Sequence, residues 1–206
     1  MLGDDGTPVI PFDEPLQGRL VRLSPYSSDD AQVLFEALDH DELWTLVPGR
    51  PRDAPELDRL LTVAPSVGRY PWVVRLVAPR AGRIGGSVVG TTSFLDVQPG
   101  DLRCEIGHTS YTPAVWGSGV NTECKLLLFD AAFTAGFQRV QLKTDIRNER
   151  SQAAISRLGA VREGVLRRYQ RRADRSMRDT VMFSVLIEEW PGVRDRLRAD
   201  LSDRLV

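Results

Sequence analysis

A strand-like run ends in Trp116-Gly117-Ser118-Gly119, and a long helical pattern starts at once with Val120, Asn121 and Thr122. Two glycines around a serine leave room for backbone N–H groups to converge on one spot, and the start of a helix adds its partial positive charge. That combination suits a phosphate or pyrophosphate. A second polar cluster, Asn148-Glu149-Arg150-Ser151, opens the next helical segment. Asn and Ser are preferred at helix starts, so capping is one reading of this pair, and it is compatible with a second use as ligand contacts.

The elements that must position these clusters follow from periodicity. Residues 19–23 alternate polar and apolar side chains and predict a first strand. Ser27 or Ser28 can cap a helix reaching about Leu38; a second short helix is predicted over 53–63, with 47–51 a loop between them. Three strands, over 70–78, 86–97 and 102–111, are separated by turn signals and predict an antiparallel meander. The period then changes: Val120, Cys124, Leu127, Leu128, Ala131 and Ala135 recur at helical spacing until Gly136. Residues 139–144 alternate as a strand, and Ala154, Ile155 and Leu158 give the next helix its buried face before Gly159. Strands over 161–172 and 177–187 and a polar helix over 190–201 complete the chain. The strand before Trp116 and the strand from Arg139 are joined by a helix, which predicts parallel neighbours. The fold class is therefore α/β, a single mixed, mostly antiparallel sheet of about seven strands with helices on both faces. Residues 1–18, with acids, glycines and prolines, predict a loosely held arm ahead of one domain over 19–206.

Bulk properties exclude several classes. The chain has 206 residues, enough for one substantial core. Its 27 basic and 28 acidic residues argue against a polyanionic partner. Two cysteines, Cys104 and Cys124, are too few for a disulfide framework and read as core thiols of a reducing cytoplasm. No apolar run reaches the roughly 18 residues needed to span a bilayer, and a signal-peptide pattern is missing at the start. A cytoplasmic protein with no membrane partner is expected.

From about Leu102 to Trp190 the chain resembles the GCN5-related N-acetyltransferases, more narrowly the branch containing ribosomal-protein N-terminal acetyltransferases. The resemblance rests on three motifs in the family's order. The family's loop, Gln/Arg-x-x-Gly-x-Gly/Ala, corresponds to residues 116–121: Gly119 keeps the central glycine, while Trp116 and Asn121 depart from the pattern. Asn148-x-x-Ser151, followed by an apolar helix and Leu158-Gly159, resembles the second signature. Glu105-Ile106-Gly107 resembles the strand beside the acetyl group. The resemblance implies acetyl-coenzyme A as co-substrate and no metal. It implies that Trp116, Gly117, Ser118, Gly119, Val120, Asn121 and Thr122 hold the pyrophosphate, with Arg157 a further phosphate contact. By the same resemblance Asn148 bonds the pantetheine arm, Ser151 lies near the thioester sulfur, a backbone N–H near Ser110 or Tyr111 serves the carbonyl oxygen, and Glu105 is the general base.

The implied function is N-acetylation of a primary amine, on a protein N-terminus or a small molecule, by direct transfer. Such a reaction must deprotonate an amine of pKa near 8 to 10, stabilise a developing oxyanion and release a thiolate. A catalytically silent acyl-coenzyme A-binding module is the alternative. Glu105 also reads as an exposed strand carboxylate, His108 as a packed histidine, and His40 as a helix C-terminal residue facing the dipole. Seven arginines between Arg162 and Arg178 read first as a solvated hairpin spread over both faces, and as an alternative as one face that attracts an acidic substrate or the adenosine 3′-phosphate; nucleic acid is not an expected partner. The apolar run 181–187 offers a surface for a homodimer.

Overall fold

The computed structural model describes residues 6–47, 49–172 and 174–204. Pro48 of the predicted loop and the first five residues of the predicted arm lie outside them. Eight strands and six α-helices are described: β1 (Leu16–Gln17), β2 (Val21–Pro25), α1 (Ala31–Leu38), α2 (Asp41–Trp44), α3 (Ala54–Thr62), β3 (Tyr70–Leu76), β4 (Val88–Gln98), β5 (Arg103–Tyr111), α4 (Val120–Thr134), β6 (Arg139–Asp145), α5 (Glu149–Leu158), β7 (Val161–Arg171), β8 (Met177–Leu186) and α6 (Trp190–Asp203). Local chemistry sets their ends. Asp53 caps α3 by accepting the Glu56 N–H at 2.7 Å; Gly159 closes α5 in the left-handed region, which a Cβ would strain.

All strands join one sheet in the order β1-β2-β3-β4-β5-β6-β8-β7. Every neighbouring pair is antiparallel except β5 and β6, which are parallel, as the connecting helix requires. The sheet has eight strands where about seven were expected. The extra strand is β1, whose two residues are too few to show any alternation. It pairs with β2 across Gly18, and Glu123 of α4 holds that turn by accepting the N–H groups of Arg19, Leu20 and Val21 at 2.6 to 2.9 Å. The segment before β1 is also packed: Ile10 is 2% exposed and the Phe12 ring stacks on Tyr70 at 3.8 Å. The composition that reads as a loose arm hides these two anchors.

Alternation divides the core. Trp72, Val74, Cys104, Ile106, Val140, Leu142, Val181, Phe183 and Val185 form the larger cluster with α4, α5 and α6. Val73 and Val88 point the other way and bury α1 and α3 through Leu34, Leu38, Leu57 and Leu61. The strand expected to carry a dimer surface is central, not marginal: β8 lies between β6 and β7, and Val181, Phe183 and Val185 are fully inside. Intramolecular packing consumes that apolar run.

Candidate active site

The parallel strands β5 and β6 pair only over Arg103–Glu105 and Arg139–Gln141, although β5 continues to Tyr111 and β6 to Asp145. Beyond Glu105 the two strands part and leave a wedge. On its other side β5 stays paired with β4, but with a shift: Thr91 faces Ser110 and Ser93 faces Gly107, so β5 carries one extra residue. His108, with φ 45°, absorbs that bulge. Thr112 donates its N–H back to Val89 O at 2.8 Å. Alternation therefore turns the backbone of Tyr111 towards the wedge, and its carbonyl accepts Trp116 Nε1 at 3.0 Å. Ser110 points its backbone the opposite way, to β4, so of the two expected oxyanion donors only Tyr111 faces the gap.

The glycine loop closes one end of this wedge. Gly117 and Gly119 have φ of 73° and 91°, and Gly119 occupies the N-cap of α4 with no side chain capping the helix. Ser118 Oγ is turned back onto Val115 O at 2.6 Å, and the loop carbonyls of Ser118 and Gly117 are held by Arg80 and Arg204. Carbonyls are thus drawn outward, and no hydrogen bond within the described chain claims the N–H groups of Val120, Asn121 and Thr122. An amide-lined helix start of this kind fits a pyrophosphate. Trp116 is not a substitute phosphate ligand. Its ring lies beneath the Arg150 guanidinium, 3.8 Å from the centroid, so Arg150 brings to the loop the positive charge that position 116 lacks.

The turn from β6 into α5 carries the second motif. Asn148 Oδ1 caps α5 by accepting the Ser151 N–H at 3.0 Å, which leaves the Asn148 amide NH₂ and the Ser151 hydroxyl as available donors. Asp145 fixes this turn: its backbone carbonyl takes the Asn148 N–H at 2.9 Å and its Oδ1 takes the Arg147 N–H at 2.9 Å. Arg172 in turn grips both carboxylate oxygens, at 2.6 and 2.9 Å, and this pairing lowers the Asp145 pKa. A cleft of about 270 Å³ opens beside the turn between Glu42, Leu43, Leu46, Arg147, Asn148 and Arg150. Arg157 is not brought here. It lies in the last turn of α5, about 13 Å along the axis from Asn148 by helical rise.

Buried charge surrounds the bulge. Glu105 is 2% exposed and its Oε2 accepts from Lys143 Nζ at 2.7 Å, so it is an interior ion-paired carboxylate and not an exposed one. Lys125 enters from α4, is 4% exposed, and donates to Thr109 Oγ1 at 2.6 Å and Thr92 Oγ1 at 3.1 Å. Burial without a carboxylate partner pulls its pKa down to about 8. His108 meets solvent yet is closely surrounded by protein, as a residue on the wall of a cleft is; that surrounding, with Arg69, Lys143 and Arg178, lowers its pKa to about 4. Cys104 and Cys124 are fully buried, and burial raises both thiols to about 12.

The sequence singles out the loop, Asn148, Ser151 and Glu105, and the structure adds Lys125, Lys143, Asp145, Arg150 and Arg172 as their neighbours. Lys125 sits one turn into α4, which is buried on more than one side, and a lysine in line with Leu128 and Ala132 is the available signal. His40 directly follows the C-cap of α1, with its N–H on Leu38 O at 2.9 Å, and is also the N-cap of α2; its ring bonds Thr112 Oγ1 at 3.2 Å.

Residues 20–161 match the acetyltransferase (GNAT) domain family. Over 106 residues the chain is 32% identical to the uncharacterised N-acetyltransferase p20 of Bacillus licheniformis, a match covering 51% of this chain and 58% of that protein. The chain therefore spans little more than half the length of this curated relative. A GCN5-related N-acetyltransferase from Brucella melitensis superposes with a TM-score of 0.83 at 26% identity, covering 94% of this chain and 88% of that one. Mycobacterium smegmatis RimJ, solved in complex with CoA-disulfide, superposes with a TM-score of 0.73 at 24% identity, covering 91% and 93%, a likeness of fold. The extent of the family match, with a fold shared by enzymes of that name, makes this chain a member of the GNAT acetyltransferase family.

Proposed function

We propose that the chain is an acetyl-coenzyme A-dependent N-acetyltransferase that moves the acetyl group directly to a primary amine. The observation that carries this reading is the row of unclaimed amides at Val120, Asn121 and Thr122, set at the end of the β5–β6 wedge beside Arg150 and Asn148. Those amides and Arg150 hold the pyrophosphate. The Asn148 amide NH₂ donates to the pantetheine arm, and the Ser151 hydroxyl donates to the departing sulfur. The Tyr111 N–H polarises the thioester carbonyl as negative charge grows on its oxygen. Glu105 Oε1, the oxygen not taken by Lys143, accepts the amine proton directly or through water. Direct transfer is supported by the two thiols, since a cysteine raised to about 12 and fully buried is a poor nucleophile. The RimJ likeness, in a structure holding CoA-disulfide, supports the same donor.

The test is thiol release from acetyl-coenzyme A over a panel of primary amines, with product mass measured in parallel. A mass gain of one acetyl group on the amine, with none on the protein, is expected. An acetylated protein that forms before amine is added rules out direct transfer. Failure of acetyl-coenzyme A to raise the melting temperature overturns the donor.

A further inference from the structure

The sheet gathers its charged residues on one face. Directly paired residues of adjacent strands point the same way. The registers Leu95↔Glu105, Glu105↔Gln141, Lys143↔Met182, Asp145↔Thr180 and Gln170↔Arg178 therefore put Ser93, Glu105, Lys143, Asp145, Thr180 and Arg178 on a single side. It is the side away from Cys104, Ile106, Val140, Leu142 and Phe183, which pack with α4. Arg69, just before β3, joins this face by donating from Nε to Ser93 Oγ at 3.1 Å.

Most of these charges cancel in pairs. Lys143 holds Glu105, and Arg172 holds Asp145. Two cations are left over. Among the described residues neither Arg69 nor Arg178 has a carboxylate within ion-pair distance. Arg178 Nε is buried without a hydrogen-bond partner, and so is Thr180 Oγ1 two residues along the same face, on a residue that is 0% exposed. Burial lowers the pKa of both arginines, Arg69 to about 10, as it does for cations withdrawn from water; at Arg178 the more distant Asp145 and Glu105 offset this only in part. Ser93, which Arg69 bonds, faces Gly107 beside the His108 bulge. Arg178 stands two residues along β8 from Thr180, which faces Asp145 at the end of β6, so the two arginines flank the open part of the wedge.

We propose that this face carries an anion subsite for the acceptor, in which a carboxylate or phosphate carried by the amine substrate binds Arg69 and Arg178. The inference rests on the N-acetyltransferase reading and narrows its acceptors to amines bearing their own anionic group. An anion there gives the stranded donors an acceptor. It also leaves the amine end of the same molecule beside Glu105 and the Tyr111 N–H. A neutral amine of equal size leaves two desolvated guanidinium groups unpaired, so discrimination comes from the protein as much as from the ligand.

The test uses matched amines differing only in the anion: glycine and glycinamide, the α-amides of alanyl-glutamate and alanyl-glutamine, phosphoethanolamine and ethanolamine. In at least one pair kcat/KM is expected to favour the anionic member by about ten-fold or more; which pair does so separates carboxylate from phosphate. Arg69→Gln and Arg178→Gln remove cations that have no carboxylate within ion-pair distance among the described residues, so neither breaks an ion pair. Each is expected to raise KM for the anionic amine by about ten-fold while kcat, the KM for acetyl-coenzyme A and the rate with the neutral amine stay within about two-fold. Equal rates for both members of every pair overturn the proposal, as does a preference that survives in the double variant. If acetyl-coenzyme A stabilises the fold and no amine turns over, the catalytic reading fails. The subsite is then read by calorimetric titration of the coenzyme-loaded protein with the same anions: binding lost in the double variant supports it, and no binding overturns it.

Discussion

Lys125→Met tests whether the buried ammonium beneath the β5 bulge is a cost to the fold. The wild-type side chain is 4% exposed, bonds only two threonine hydroxyls and titrates at about 8 instead of 10.5. A base whose pKa is depressed on folding binds protons more tightly when unfolded, so stability rises with pH between the two values. The penalty is fully present below about pH 8 and disappears above 10.5. At about 1.4 kcal/mol per pKa unit it amounts to about 3 kcal/mol at neutral pH. Methionine has a similar length and no charge, and Thr92 and Thr109 keep their mutual bond at 2.8 Å. Two hydrogen bonds from a charged donor are lost, worth about 1.5 kcal/mol or more each. These terms nearly cancel at pH 7, and because only the wild type gains stability as pH rises, the variant should fall behind it by about 2 kcal/mol more at pH 10 than at pH 7. Urea unfolding of both proteins from pH 7 to pH 10 reads this as a change in midpoint at constant slope. Stability curves that run parallel across that range refute the reasoning, because they leave no proton to distinguish the two chains.

Gly119→Val puts a β-branched residue at φ 91° and crowds Leu20 and Arg204, so acetyl-coenzyme A should no longer raise the melting temperature, although the apo protein still melts cooperatively. Ser151→Ala should lower kcat by about 10-fold with the KM for acetyl-coenzyme A nearly unchanged, if its hydroxyl serves the leaving sulfur; wild-type kcat removes it from the mechanism. Arg172→Gln leaves Asp145 buried and unpaired, so a loss of about 3 kcal/mol in unfolding free energy is expected, with a raised KM for acetyl-coenzyme A as the Asn148 turn loosens. His108, lowered to about 4 when folded, is neutral at pH 7, and its contribution to stability is lost as pH falls from 6.5 through 4. His108→Gln should accordingly flatten the acid limb of the melting curve; an unchanged limb assigns acid lability elsewhere.

What the sequence made legible was whatever is local. Helix periods, the Gly117–Gly119 turn and the Asn148 cap each lie within a few residues, and the β5–β6 crossover follows from one helix joining two strands. The partners of buried charges were hidden because they depend on register. Glu105 finds Lys143 only once β5 and β6 align at Glu105↔Gln141, a relation across 38 residues. Arg172 sat in a run of arginines that alternation assigns to solvent, and nothing nearby marks the one that reaches back to Asp145. Arg150 and Trp116 meet across two motifs read separately, so the loop's departure from the family pattern and its compensation could not be connected. The eighth strand was too short to carry a period at all.

Of 27 basic residues in this chain only two are lysines, Lys125 and Lys143. One is enclosed beneath the bulge, and the other has its ammonium on Glu105 with its side chain 20% exposed. Every other basic side chain is an arginine, whose guanidinium stays protonated and is no acyl acceptor at neutral pH. Among the described residues the surface therefore presents solvent with guanidinium cations and with no lysine ammonium free of a partner. In a member of an acetyltransferase family, that leaves no free lysine side chain of its own to take up acetyl groups.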